Sequence, residues 1–315
     1  MVFVRSSSAG PLPCAHSTSH AVIAAACLVL SAVCASYAAE PSPSPTVATE
    51  QQEVSAVDER IRSEHLTREN SFVLTPHRPN YILPLAYNWS LNKAAYGAEG
   101  EKLQPAEIKF QISFKADVVG NLFGTGGDLY FAYTQVSQWQ AYNSDNSSPF
   151  RETNYEPEAF LAFKTDVRVS GLRNRIVSFG FAHQSNGRTE PLSRSWNRIY
   201  AEFILDRGRF AMSVKPWYRI REPAETDNNP DIGRFMGPGE LRLFYEWKKY
   251  VAALMVRNNF RLHDQKGAEQ LEFSFPLTGK VKGYIQYFYG YGDTLIDYNA
   301  RTNCLGIGVL LTDWL

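Results

Sequence analysis

Apolar and polar side chains trade places along much of this chain. Phe110, Ile112, Phe114 and Ala116 alternate with Gln111, Ser113, Lys115 and Asp117; Leu241, Leu243, Tyr245 and Trp247 alternate with Glu240, Arg242 and Glu246; Leu271, Phe273 and Phe275 alternate with Gln270, Glu272 and Ser274. Successive side chains of a strand point to opposite faces, so each segment carries one greasy and one hydrophilic face. The period of two starts near Ile82, and clusters of Gly, Pro, Asn and Asp interrupt it as turns do. Counting such segments gives roughly ten to twelve strands and predicts an all-β chain, within the range of single-chain transmembrane antiparallel β-barrels. Alternation alone also fits a soluble sandwich, whose apolar face packs a core.

Three features favour the barrel. Arg5, the apolar run from Ala21 to Val33 and the small residues through Ser36-Tyr37-Ala38-Ala39 have the layout of a secretory signal peptide, with cleavage expected after Ala38 or Ala39. A rival anchor through Cys34 is weaker, because Val33 stands where a small residue is wanted. Aromatic residues such as Trp89, Trp139, Trp217 and Tyr218 fall near strand ends, and an alternating strand, Leu305-Ile307-Val309-Leu311, runs up to Trp314 and Leu315. Past Val33 no run approaches the ~20 apolar residues of a spanning helix, so membrane crossing would need strands.

Composition adds exclusions. The 315 residues carry formal net charge +0, which supplies no field for nucleic acid. The mean hydropathy of −0.30 looks soluble, but a membrane barrel hides half of each strand's polarity in its lumen. Of four cysteines, Cys14, Cys27 and Cys34 would leave with the signal, and Cys304 alone cannot form an internal disulfide. The expected organisation is signal peptide 1–39, leader 40–79 and barrel 80–315. The leader is Pro/Ser/Thr-rich at first, then has Val54, Val57 and Ile61 at helical spacing.

The segment Arg175-Ile-Val-Ser-Phe-Gly-Phe-Ala-His-Gln-Ser-Asn-Gly-Arg188 reads as a strand entering a turn at Asn186-Gly187. His183 and Ser185 share the apolar face of Val177, Phe179 and Phe181; on the returning strand Asn197 shares that of Ile199, Ala201, Phe203 and Leu205. Polar groups on a lipid-facing surface are expensive and invite a functional explanation. Here the types suit ester cleavage: Ser185 as nucleophile, His183 as base, and Asn197 accepting the other imidazole N–H without a full negative charge beside hydrocarbon. The weaker support for the imidazolium calls for another positive group at the oxyanion. The same residue types are also common in turns at a barrel rim.

His183-Gln-Ser185-Asn186-Gly187-Arg188 with Ser193-Arg-Ser-Trp-Asn197-Arg closely resembles the outer-membrane phospholipase A family, as do 146–157, 215–218, 227–232 and 295–299. The resemblance runs from about Asn80 to the C-terminus. It implies a twelve-stranded barrel that hydrolyses acyl esters of phospholipids (sn-1, sn-2) and lysophospholipids through an acyl-enzyme, with calcium, as a homodimer when active and a monomer at rest. It also implies Gly187 at the oxyanion and calcium held by the backbone carbonyls of Arg188 and Ser193 with Ser147 of the partner subunit. A further calcium position would match Glu190 and Asn228, where the amide replaces an acidic residue. The loop Asp227-Asn-Asn-Pro-Asp231 reads instead as an exposed turn. Gln135, on the face of Leu129, Phe131 and Tyr133, is expected at the dimer contact. Against this stand a passive channel or structural barrel, and a soluble esterase, which the missing Gly-x-Ser-x-Gly elbow disfavours.

Overall fold

The structure, a computed structural model, describes residues 55, 57, 58, 60–62 and 74–313. The expected signal peptide, Val54, Trp314 and Leu315 lie outside the described residues.

Strand β1 (Thr75–Pro76) is a two-residue preface. Then follow β2 (Asn80–Asn88), β3 (Ala106–Val119), β4 (Gly127–Trp139), β5 (Phe150–Val169), β6 (Leu172–Ser185), β7 (Ser195–Arg207) and β8 (Phe210–Ile220). The series ends with β9 (Gly239–Trp247), β10 (Tyr250–Asn258), β11 (Gly267–Thr278), β12 (Val281–Tyr291) and β13 (Arg301–Thr312). Every neighbouring pair is antiparallel, and β13 pairs back onto β2, with Leu305 opposite Tyr87. Closure of these twelve strands leaves no free edge, as a bilayer requires.

The orientation of the two faces decides between sandwich and membrane barrel. Phe179, Ile199 and Phe131 are 52%, 50% and 46% exposed, whereas Glu107, Lys109, Glu152, Glu156 and Glu158 are buried. The greasy face therefore looks out and the charged face looks in. A water-soluble fold has the opposite arrangement.

The two ends of the barrel differ. At one, most turns are short, and residues 170–171, 208–209, 248–249 and 279–280 each join two strands. Ser170 and Gly171 both have positive φ there, which matches the twist of a two-residue hairpin. At the other, long segments (89–105, 140–149, 186–194, 221–238, 292–300) connect the strands.

Charge pairing fills the lumen. Arg78 bridges Glu156 (2.9 Å) and Glu158 (2.6 Å), which also meet Arg198 and Lys215. Nearer the long-loop end Arg151 joins Glu107 to Asp297 of the 292–300 loop. That loop folds inward: Leu295 N–H and Ile296 N–H donate to Asn154 and Glu152, and Leu295 packs with Trp196, Ile232 and Met236. Between these networks lies a cavity of about 140 Å³. Trp217, expected among the rim aromatics, turns inward against Trp196 because this plug offers it an apolar partner, and its Nε1–H reaches the Gly237 carbonyl; Tyr218 is the neighbour left exposed.

The short-turn end is closed from the N-terminal side. Val57 and Ile61 are helical and pack on Ile204, Ala211 and Phe244. Asp58 pairs with Arg175, whose hydrogen bond holds its carboxyl down at about 2, while Ser55 donates to Asp206. β1 pairs with β3 past the end of β2, and His77 and Arg78 enter the lumen from there.

Candidate active site

β6 and β7 leave the barrel wall at the long-loop end, and their register sets the site. His183 is paired with Asn197, and Ser185 lies between Tyr155 of β5 and Ser195 of β7. The three candidate residues thus share the outward face, His183 and Asn197 one step and Ser185 two steps rimward of the exposed pair Phe181 and Ile199. His183 Nδ1 and Asn197 Oδ1 are 2.9 Å apart. An amide oxygen only accepts, so Nδ1 carries the proton and Nε2 keeps its lone pair. Among the described residues Ser185 makes no side-chain hydrogen bond, to His183 or to any other group; the register alone brings it to the same face. The other end of the asparagine is held by Glu222, whose Oε1 accepts from Asn197 Nδ2 at 3.0 Å.

Loop 186–194 is built around one buried side chain. Asn186 Oδ1 accepts from the Arg188 and Arg194 amides, and its Nδ2 donates to the Leu192 carbonyl. Gly187 has φ +63°, a conformation that favours glycine, and a Cβ would press on the Tyr155 ring at 3.1 Å. Its N–H donates to no described residue. The Arg188 guanidinium reaches the carbonyls of Phe150 and Arg151 and the buried Glu152, tying this loop to the strand that follows loop 140–149. In the latter, Ser147 is exposed with φ 55°.

The carbonyls expected to hold calcium suit a hard cation. Arg194 Nη1 donates to the Ser193 carbonyl (2.6 Å) and the Pro191 carbonyl, so a positive group already stands there, and no described group donates to the Arg188 carbonyl. Among the described residues no three His, Cys, Asp or Glu gather as a metal site. At the further calcium position Asn228 turns its amide nitrogen toward Glu190 and Ser193 Oγ and presents donors instead of oxygen. Asp227 is occupied by Arg219 and Asp231 by Tyr298 Oη, as a structural turn would have them.

Gln135 sits half-buried on the outward face with its amide met within its own strand, by Tyr133 Oη (3.0 Å) and Ser137 Oγ (3.1 Å). On the same outer surface an open groove of about 700 Å³ runs past Leu129, Leu161, Phe179, Phe181, Ile199 and Tyr218. Sequence reasoning missed Glu222, the organising role of Asn186 and the Arg188–Glu152 contact. All three depend on loop paths that carry no period.

A closed barrel with apolar exterior and filled lumen defines an integral membrane barrel, and the His/Ser/Asn row at its rim holds the residue types that ester hydrolysis uses. The phospholipase A1 family model matches residues 57–311. Phospholipase A1 of Escherichia coli K12 is 40% identical over 247 residues, covering 78% of this chain and 83% of that protein; its Klebsiella pneumoniae counterpart is 40% identical over 249 residues, 78% and 84%. Among solved structures, outer membrane phospholipase A from E. coli superposes with TM-score 0.73 at 40% identity, over 78% of this chain and 100% of that one. A Salmonella typhi outer membrane phospholipase dimer with bound calcium also gives 0.73 at 40% identity, over 78% and 94%. The chain belongs to the phospholipase A1 family, and its barrel is that of an outer-membrane phospholipase.

Proposed function

We propose that the barrel cleaves sn-1 and sn-2 acyl esters of phospholipids and lysophospholipids through an acyl-enzyme on Ser185, and that calcium and dimerisation switch it on. The observation carrying this reading is the His183 to Asn197 hydrogen bond on the outward face, beside Ser185. Ser185 Oγ attacks the ester carbonyl while His183 Nε2 takes its proton; Asn197 Oδ1 holds Nδ1–H and so keeps the tautomer. The imidazolium then returns the proton to the leaving lysolipid oxygen, and a water activated by the same histidine releases the fatty acid. The Gly187 N–H, uncommitted among the described residues, donates to the oxyanion. The acyl chain lies along the outer groove below Phe181 and Ile199.

Calcium would be held by the carbonyls of Arg188 and Ser193 with the hydroxyl of Ser147 of the partner subunit. When bound it supplies positive charge and polarised water at the oxyanion. The dimeric, calcium-bound Salmonella relative supports a calcium requirement and pairing of two copies, and an E. coli relative described as an active-site mutant in which asparagine is replaced by alanine supports an asparagine in the centre. Gln135 would exchange its intrastrand hydrogen bonds for contacts across the dimer, and the monomer would be the resting form. Long loops mark the outer side of such barrels, which supports a site at the outer leaflet. The catalytic unit would be residues 80–315, behind leader 40–79 and signal peptide 1–39. A channel reading has little support in a lumen crossed by paired charges.

Fatty-acid release from phospholipid micelles tests this. Release that needs calcium, stops with chelator and falls on the order of 10³-fold or more in Ser185→Ala is the expected result. Calcium-independent release from a strictly monomeric sample would refute the activation scheme.

A further inference from the structure

Asn197 has two nearly symmetric ends, and only one of them serves catalysis. If its amide rotated by half a turn, NH₂ would face His183 Nδ1; that nitrogen would have to accept, the proton would move to Nε2, and Ser185 would lose its base. At a rim open to water a lone asparagine has little to prevent the exchange.

Glu222 supplies the preference. Asn197 is opposite Ile220, the last residue of β8, and Glu222 follows two residues later, so its side chain returns to the same face. Its Oε1 lies 3.0 Å from Asn197 Nδ2. Among the described residues it has no ion pair and no other hydrogen bond, so no structural duty accounts for its placement. An ionised carboxylate accepts only; a rotated amide would set Oδ1 against Oε1, two acceptors at hydrogen-bond distance. We propose that Glu222 is a positioning residue that locks the Asn197 amide with its oxygen toward His183, making a Ser185–His183–Asn197–Glu222 row. This rests on the reading of the first three as the catalytic machinery. It also places a negative charge one amide away from the imidazolium that asparagine alone supports weakly.

The test measures kcat, KM and calcium half-saturation of the full-length protein in detergent micelles, using a phospholipid ester substrate. Glu222→Ala is expected to lower kcat about 10-fold with KM and calcium half-saturation unchanged. Glu222→Gln, nearly isosteric and able to fold where alanine is not tolerated, should also lose kcat, because a glutamine amide mates with either orientation of Asn197. In an Asn197→Asp background both oxygens accept and no flip remains to be blocked, so Glu222→Ala should cause no further loss. Wild-type kcat in Glu222→Gln, or an undiminished loss in the Asn197→Asp background, overturns the proposal. Ser185→Ala separates the two levels. If it retains release, the catalytic reading itself is wrong; if it is inactive while both Glu222 variants match wild type, only the lock is wrong.

Discussion

The lumen and the outward rim of β6 and β7 are both rich in polar groups, yet they are built on opposite terms. In the lumen, Glu156 and Glu158 are met by Arg78, Arg198 and Lys215, and Glu107 by Arg151. At the rim, among the described residues, Ser185 Oγ and the Gly187 N–H are left uncommitted, and His183 has Asn197 as its one side-chain hydrogen-bond partner. Saturated polar groups rigidify a fold; unsaturated ones are available to a substrate. Polar density alone would have pointed to the wrong place.

The largest effect that sharpens this contrast is expected from His183→Ala. It should lower fatty-acid release on the order of 10³-fold, while the urea unfolding midpoint stays close to wild type, because among the described residues the ring makes a single side-chain hydrogen bond. A large stability loss would mean that the rim is structural after all. Arg78→Ala should do the reverse: it strips a cation from two buried carboxylates, costing on the order of 3 kcal/mol in unfolding, with release per folded molecule unchanged.

The smallest effect concerns the N-terminal closure. Asp58 has an ordinary value of 3.8 and is held at about 2 by Arg175, so its contribution is full above about pH 4 and disappears as pH falls through about 2. Pepsin cleavage within residues 55–62, read by mass spectrometry, should therefore rise between pH 4 and 2. Asp58→Asn should be cleaved readily at pH 4. A variant as resistant as wild type at pH 4 would show that Val57 and Ile61 do the docking without the ion pair.

What could be read from the chain follows from periodicity. The period of two put His183, Ser185 and Asn197 on one face, and the register of β6 against β7 places His183 opposite Asn197. Read with the same care, it puts Trp217 and Tyr218 on opposite faces; their aromatic character suggested one role for both, and the inward plug around Trp196 gave them two. Loop-borne features were invisible. Glu222 is separated from Asn197 by a whole strand, Asn186 organises its loop through backbone groups, and the Arg188 and Ser193 carbonyls have no side-chain signature. Nor does any pattern in residues 74–79 announce that Arg78 enters the barrel.

The loop 292–300 folded into the barrel mouth separates two kinds of injury that a lipid-degrading enzyme could inflict on its host. A hollow tube would leak ions and solutes for as long as it sat in the envelope, whether idle or working. A stoppered one harms the permeability barrier only through the detergent-like products it releases. The damage then scales with turnover, and halting the chemistry is enough to let the envelope heal.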